Sequence, residues 1–177
     1  LKRLKLDYAT LSRFNSRLIY ATLTAYGTAG PDKDQRGFDY SAGWAHTGGQ
    51  FMMGEPGSAP PLQRPGMMDR VTGVHIVAGV VAAIIHRDRT GEGQQIEFSL
   101  YHSGVWTIAE DIQGALVERP LLKHNRKLAY NPMWNSYRAK DEHWFQLTMH
   151  QPDIQWPDFC RAIERPEWEN YPRFNNA

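Results

Sequence analysis

The sequence predicts an α/β fold, from three features that follow one another between residues 18 and 100. Residues 18–24 (LIYATLT) are rich in β-forming side chains and predict a strand. Residues 71–87 form a largely apolar run that predicts the longest helix, with Gly91 as its stop. Apolar and polar residues then alternate over residues 95–100, which predicts a second strand. Strand, helix and strand in this order are typical of α/β proteins.

The remaining elements follow from local patterns. Residues 7–15 have apolar side chains at helical spacing, and residues 38–47 predict a further helix that ends at Gly48-Gly49. Residues 50–68 are rich in proline and glycine and predict a long irregular loop, a feature that is often functional in a compact protein. After the second strand we expect a long helix over residues 101–118, two strands over 134–137 and 144–148, and a short amphipathic helix over 153–164.

Composition limits the classes of function. The chain has 177 residues, of which 41% are hydrophobic and 22% charged, as in soluble globular proteins. Its formal net charge of +1 gives no strong field for nucleic acid or for an anionic membrane. The longest apolar run, residues 74–85, is too short to cross a bilayer, and the basic N-terminus lacks the apolar core of a secretory signal. We therefore expect neither a nucleic-acid nor a membrane partner.

Cysteine and histidine usage adds two expectations. A single cysteine, Cys160, excludes an internal disulfide framework and fits a reducing compartment, so we expect a cytoplasmic protein. The seven histidines show no metal-ligand spacing, so we expect no metal site. The chain also lacks an initiating methionine, which is expected of a piece of a longer protein.

The most informative stretch runs from residue 66 to residue 100. Asp69 stands where a helix N-cap would stand, Thr72-Gly73 follow it, and the apolar helix is closed by R-D-R-T-G-E-G-Q. This order resembles the signature of the family III CoA transferases (the CaiB/BaiF type), the group that contains formyl-CoA and carnitine CoA transferases. The catalytic aspartate of that signature, G-D-x-x-T-G, matches Asp69, and Met68 replaces the preceding glycine.

Six further segments are similar to family motifs in the same order. They are LKLDY at 4–8, NSRLIY at 15–20, TAYGTAGP at 24–31, RGFD at 36–39, YRAKD at 137–141 and PRF at 172–174. The resemblance implies a Rossmann-like large domain and a small domain in an interlaced homodimer, only partly covered by this chain. Residues 1–120 would belong to the large CoA-binding and catalytic domain, and residues 121–177 to the linker and the start of the small domain.

The resemblance also implies a reaction. Asp69 would attack a donor acyl-CoA, form a mixed anhydride and then an aspartyl-CoA thioester, and pass CoA to a free carboxylic acid. An aspartate side chain is ionised at neutral pH, and backbone N–H groups at the helix start would stabilise the oxyanions. Acyl-CoA and a carboxylic acid are then the substrates, and no cofactor is permanently bound. Without the resemblance, an N-cap is the ordinary role of such an aspartate.

The predicted CoA contacts come from the same resemblance. Arg3 and Arg36 would face phosphate or pantetheine, Gly37 would let the chain approach, Phe38 would offer an apolar wall, and Asp39 would accept a hydrogen bond. From the residues alone, the two arginines are ordinary solvated side chains and Phe38 is a core residue at a helix start.

Two other functions remain open. The 2-methylacyl-CoA racemases share the fold and the aspartate, but have histidine where this chain has Phe38. Phenylalanine carries no proton, which favours transfer over racemisation. A non-catalytic CoA-binding fragment is the third possibility.

Overall fold

The computed structural model describes residues 1–174, which divide into two compact units that separate after Lys123. In the first unit the helices are α1 (Tyr8–Leu11), a π-helix (Asp39–Ala45), α2 (Gly49–Met52), α3 (Met67–Thr90), α4 (Leu100–Thr107) and α5 (Ala109–Leu116), and the strands are β1 (Ile19–Thr24) and β2 (Gln94–Ser99). The second unit contains β3 (Trp134–Arg138), β4 (Trp144–Thr148) and α6 (Pro152–Ala162).

The first unit is built on a parallel pair of strands. β1 and β2 pair from Ile19 opposite Gln94 to Thr24 opposite Ser99. Parallel strands need a crossover connection, and α3 lies within it and packs on both strands. Gly79 of α3 is so close to β2 that a Cβ there would lie 2.5 Å from Cζ of Phe98. The predicted α/β class and both predicted strands are confirmed.

The first turn of α3 lies at the carboxyl end of this strand pair, because α3 runs directly into the amino end of β2. The packing of the π-helix shows this. A Cβ on Gly43 would lie 2.8 Å from Cβ of Met68, in the first turn of α3, and 3.4 Å from the carbonyl oxygen of Leu100, which follows β2. In parallel α/β sheets this edge is where ligands bind.

The π-helix also packs tightly on α4. A Cβ on Gly104 would lie 1.9 Å from the carbonyl oxygen of Gly43, so two backbones meet there without a side chain between them. Around this contact lies the core of the first unit, with the buried residues Ala42, Trp44, Met68, Thr72, Leu100 and Ser103.

α3 is longer than the sequence predicts. It begins at Met67 and ends with Gly91 as its left-handed C-cap, whose N–H donates to the carbonyl of Arg87. At 24 residues and a mean hydropathy of 1.6 over its most apolar window, it is long and apolar enough to cross a membrane by length and composition. Core helices of soluble proteins meet the same criterion. The expectation of a run too short to span a bilayer is therefore wrong for the helix as a whole.

The second long helix expected over residues 101–118 is two helices. Ile108 stands between α4 and α5 with φ −113° and ψ 29°, outside helical geometry. Its side chain lies close to Gly48, which follows the π-helix: a Cβ on Gly48 would be 3.9 Å from Cδ1 of Ile108. Periodicity alone does not reveal this break.

The second unit combines a hairpin with a helix. β3 and β4 pair antiparallel from Trp134 opposite Thr148 to Arg138 opposite Trp144, as the sequence predicts. α6 buries Cys160 completely. Beside it the rings of Trp156, Phe159, Trp168, Tyr171 and Phe174 contact one another, with centroids 5.4–5.8 Å apart.

Candidate active site

Asp69 lies in the first turn of α3, but it is not the N-cap. The N-cap is Gly66, in the left-handed conformation with φ 69° and ψ 16°, and no side chain caps the helix. The chain turns sharply at Gly66, so the helix begins three residues earlier than the N-cap assignment of Asp69 implies. The ordinary structural role for Asp69, a capping hydrogen bond, is therefore absent from α3.

The Asp69 carboxylate is exposed and free of protein partners. Within residues 1–174, no hydrogen bond or ion pair engages its oxygens. An exposed carboxylate in the first turn of a long helix lies in the favourable field of the helix dipole. Such a group is available to react with a molecule that approaches from solvent.

The first turn of α3 also carries backbone N–H groups next to Asp69 in the chain. The N–H of Met67 donates to the carbonyl of Arg64 at 3.1 Å, and the N–H of Arg70 donates to Gly66 at 3.1 Å. In the described part of the chain, the N–H groups of Met68 and Asp69 donate to no acceptor. Free N–H groups at a helix start bind anions and stabilise developing negative charge.

The base of this turn is held firmly. Met68 is fully buried, and its carbonyl accepts a 2.7 Å hydrogen bond from the hydroxyl of Thr72, which is also buried. Gly43 of the π-helix packs against Met68, as described above. Asp69 therefore projects to solvent from a turn whose other side is anchored in the core.

Asp39 opens the π-helix and is buried. Only 5% of its surface is exposed, and its Oδ2 accepts a 2.6 Å hydrogen bond from Nε2 of Gln63. The family resemblance predicts that this carboxylate accepts a hydrogen bond from CoA. In the structure, one of its oxygens accepts a hydrogen bond from Gln63. Gln63 lies in the proline- and glycine-rich stretch 24 residues further on, and no sequence pattern marks it.

The neighbours of Asp39 differ in exposure. Phe38 is 79% exposed, so its ordinary role as a core residue is wrong. Arg36 is exposed as well. Gly37 is closely packed, since a Cβ there would lie 3.0 Å from Cβ of Ala42 and 3.0 Å from Cε2 of Tyr26. A larger residue at this position would displace the segment from the strand end.

Arg3 lies in a short 3-10 helix (Lys2–Leu4) and is exposed. Across residues 1–174 no hydrogen bond or ion pair joins Arg3 or Arg36 to another group, so both guanidinium groups are available to a phosphate. No hydrogen bond in that range joins Arg3 to residues 36–39 or to Asp69.

Three rings gather at the carboxyl edge of the strands. Tyr26 follows β1, His46 follows the π-helix, and Tyr101 lies in α4; the ring of His46 is 5.1 Å from that of Tyr26 and 5.5 Å from that of Tyr101. Nε2 of His46 lies 3.5 Å from Oδ2 of Asp32. No sequence pattern predicts that these three rings lie together, because they are separated by 20 and 55 residues.

No candidate metal centre accompanies these groups. In the range that the structure describes, no cluster of three or more histidine, cysteine or acidic side chains is placed to hold a metal ion.

Comparison with known proteins gives a consistent result. The model of CoA-transferase family III matches residues 1–177. The chain is 35% identical over 172 residues to a cinnamoyl-CoA:phenyllactate CoA-transferase of Clostridium sporogenes, covering 96% of this chain and 42% of the relative. It is 30% identical over 178 residues to an (R)-2-hydroxy-4-methylpentanoate CoA-transferase of Clostridioides difficile, covering 99% and 44%.

Solved structures agree. A CaiB/BaiF family protein from Brucella suis matches with a TM-score of 0.78 at 26% identity, over 98% of this chain and 46% of that protein. A protein of Mycobacterium tuberculosis matches with a TM-score of 0.80 at 25% identity, over 98% and 44%. The chain spans less than half the length of these relatives. It belongs to CoA-transferase family III.

Proposed function

We propose that the protein carrying this chain transfers CoA from an acyl-CoA to a free carboxylic acid, with Asp69 as the nucleophile. The observation that carries the proposal is the Asp69 carboxylate: exposed, free of protein partners among the described residues, and set in the first turn of α3. Its position at the carboxyl edge of the parallel strands supports the same role.

The proposed reaction proceeds through covalent states of two kinds on Asp69, mixed anhydrides and a CoA thioester. A carboxylate oxygen of Asp69 attacks the thioester carbonyl, the carbon–sulfur bond breaks, and CoA thiolate leaves a mixed anhydride behind. The thiolate then attacks the aspartyl carbonyl and releases the donor acid, which gives an aspartyl-CoA thioester. The acceptor carboxylate attacks this thioester, CoA thiolate leaves, and a second mixed anhydride forms between Asp69 and the acceptor. The thiolate then attacks the acceptor carbonyl, which gives the acceptor acyl-CoA and releases the Asp69 carboxylate.

The surroundings of Asp69 suit these steps. Each attack places negative charge on a carbonyl oxygen, and the N–H of the exposed Asp69, which donates to no acceptor among the described residues, is a suitable donor for that charge. The buried contact between Gly43 and Met68 fixes the turn, and well-aligned reactants gain roughly 7–11 kcal/mol. The reaction itself requires neither a metal nor a redox cofactor.

CoA would bind along the exposed face of residues 36–39. The guanidinium of Arg36, which has no hydrogen bond or ion pair within residues 1–174, suits phosphate or pantetheine, and the exposed ring of Phe38 suits an apolar or flat group. Arg3 is a second cation for the nucleotide phosphates. Two relatives are named for phenyllactate and for 2-hydroxy-4-methylpentanoate, so we propose 2-hydroxy acids with apolar side chains as the acids to test first.

The test uses the full-length protein, incubated with an acyl-CoA and then with hydroxylamine. Mass spectrometry of the peptide containing Asp69 should show the aspartyl hydroxamate, because hydroxylamine cleaves both kinds of covalent state. Asp69→Asn should abolish it. Asp153→Asn is the matched control, since Asp153 is an exposed aspartate in the first turn of α6.

Two other results would contradict transfer. Exchange of the substrate's α-proton with deuterium oxide, without an adduct on Asp69, would support a racemase. Binding of CoA with neither adduct nor exchange would support a non-catalytic CoA-binding protein.

A further inference from the structure

Among the described residues, only the NH₂ end of the Gln63 side-chain amide has a hydrogen-bond partner. The residue is 8% exposed, and its Nε2 donates to Oδ2 of Asp39 at 2.6 Å. Its Oε1 is buried and has no donor within residues 1–174. Buried carbonyl oxygens of this kind normally accept a hydrogen bond, so a donor is expected at this point.

Asp39 fixes which way the amide points. A carboxylate only accepts hydrogen bonds, so the NH₂ end of Gln63 must face Asp39 and the oxygen must face away from it. Asp39 is itself 5% exposed, so water does not compete freely for its Oδ2. Asp39 thus acts as a positioning residue for the oxygen of Gln63.

The pair lies next to the candidate nucleophile. Gln63 is three residues before Gly66, the N-cap of α3, and six residues before Asp69. Asp39 belongs to the π-helix, which packs through Gly43 on Met68 in the same turn as Asp69. The amide therefore joins the π-helix to the segment that leads into the reactive turn.

A second group on the π-helix also lacks a partner. The indole Nε1–H of Trp44 is buried and has no acceptor in the part of the chain that the structure describes, and Trp44 is 8% exposed. Asp39 and Trp44 are five residues apart, the interval of π-helical hydrogen bonds, which brings them to similar sides of the helix. One acceptor and one donor are thus both unsatisfied around one helix.

We propose that Gln63 is a substrate-binding residue whose Oε1 accepts a hydrogen bond from an amide N–H in the pantetheine arm of CoA. This inference rests on the proposed function, since it takes acyl-CoA as the substrate. A secondary amide offers the N–H donor that Oε1 of Gln63 lacks among the described residues. A carboxylate offers no donor, and the hydroxyl group of a 2-hydroxy acid is distinguished from the amide by the kinetic test.

The binding test uses full-length protein with Asp69→Asn, so that no covalent step occurs. Adding Gln63→Leu should raise the dissociation constant of CoA by about three- to tenfold, the usual loss for one hydrogen bond. Gln35→Leu is the matched control. Gln35 also donates from Nε2 to an aspartate, Asp32, at 2.6 Å, but the pair is exposed, so CoA binding should not change.

The kinetic test uses two thioesters of the same acid with the otherwise unmodified protein. The N-acetylcysteamine thioester contains one amide, and the butanethiol thioester contains none. Gln63→Leu should lower kcat/KM for the first by about three- to tenfold and leave the second unchanged. Misfolding would lower both equally, so the ratio of the two values reports the hydrogen bond alone.

Each contrary result has a distinct meaning. An unchanged ratio together with unchanged CoA binding would overturn the role of Gln63, whether or not Asp69 forms an adduct. Weaker CoA binding by Gln63→Leu, with no Asp69 adduct in the protein that retains Asp69, would uphold this inference and refute the proposed transfer. An effect confined to acids that carry a hydroxyl group would also overturn it, because the donor would then be the acid.

Discussion

At the scale of single residues, the two aspartates of the candidate site differ in exposure and in hydrogen-bond partners. Asp69 is exposed without a partner among the described residues, whereas Asp39 is buried and bonded to Gln63. The sequence marks Asp69 as a candidate nucleophile because a local motif surrounds it. It does not mark the Asp39–Gln63 pair, because the two residues are 24 residues apart and only the packing of the π-helix brings them together.

Cys160 gives a test at the same scale. It is fully buried on α6, and burial, followed by the nearby charges of Glu169 and Glu167, raises its pKa above the ordinary value of 9.0. We expect the native thiol to resist a maleimide at pH 8 and to react once the protein is unfolded in guanidinium chloride. Rapid labelling of the native protein, measured by mass spectrometry, would contradict its burial.

The raised pKa of Cys160 also predicts a pH dependence. The folded state holds the thiol proton more tightly than the unfolded state does. The stabilisation is therefore complete below pH 9.0 and declines as the pH rises above it. In denaturant titrations, Cys160→Ala should make the free energy of unfolding less steeply dependent on pH above 9.0. An unaltered slope would place the titrating group elsewhere.

At the scale of elements, the strands were predictable and the helix details were not. Both strands of the parallel pair begin and end within one residue of their predicted bounds, because β-forming and alternating residues mark them locally. The break at Ile108 and the π-helical geometry of Asp39–Ala45 depend on contacts with distant segments. A seven-residue helix carries too little periodicity to distinguish a π-helix from an α-helix.

The contact between α4 and the π-helix predicts a strong effect of one methyl group. In Gly104→Ala the new Cβ would lie 1.9 Å from the carbonyl oxygen of Gly43, so one of the two backbones must move. We expect a loss of about 1–3 kcal/mol in the free energy of unfolding of the full-length protein. Thermal and denaturant unfolding would measure it.

Gly114→Ala in α5 is the matched control for this prediction. A Cβ there would lie 3.5 Å from Cδ of Arg119, an ordinary van der Waals distance. Since alanine is the better helix former by about 1 kcal/mol, this variant should be neutral or slightly more stable. Equal losses in the two variants would show that the close contact between α4 and the π-helix is not the cause.

At the scale of the whole molecule, α3 leaves apolar surface uncovered. Val74, Val77, Val81 and Ile85 are 47–68% exposed and follow one another at helical spacing. Parallel strands normally have both faces covered, and this chain spans less than half the length of its relatives. We propose that further polypeptide of the full-length protein, or the second subunit of a homodimer, covers α3.

This proposal predicts a difference between the segment and the full-length protein. Purified residues 1–177 should bind the dye ANS strongly and associate non-specifically, because the exposed apolar residues of α3 are in contact with water. They should also show no transferase activity. The full-length protein should bind little ANS and give the mass of a dimer in light scattering. Strong dye binding by an active full-length protein would mean that these residues of α3 stay exposed, which would contradict the proposed cover.

If Asp69 carries the acyl group and then CoA, its carboxylate exchanges oxygen with the acids, and oxygen isotopes report that exchange. In the proposed steps, an oxygen of the acceptor acid remains on Asp69 when the second anhydride is cleaved. Turnover with an acceptor acid labelled with ¹⁸O in its carboxylate should therefore place ¹⁸O in the Asp69 peptide, as read by mass spectrometry. Full conversion of acceptor to acyl-CoA with an unlabelled Asp69 peptide would contradict the account.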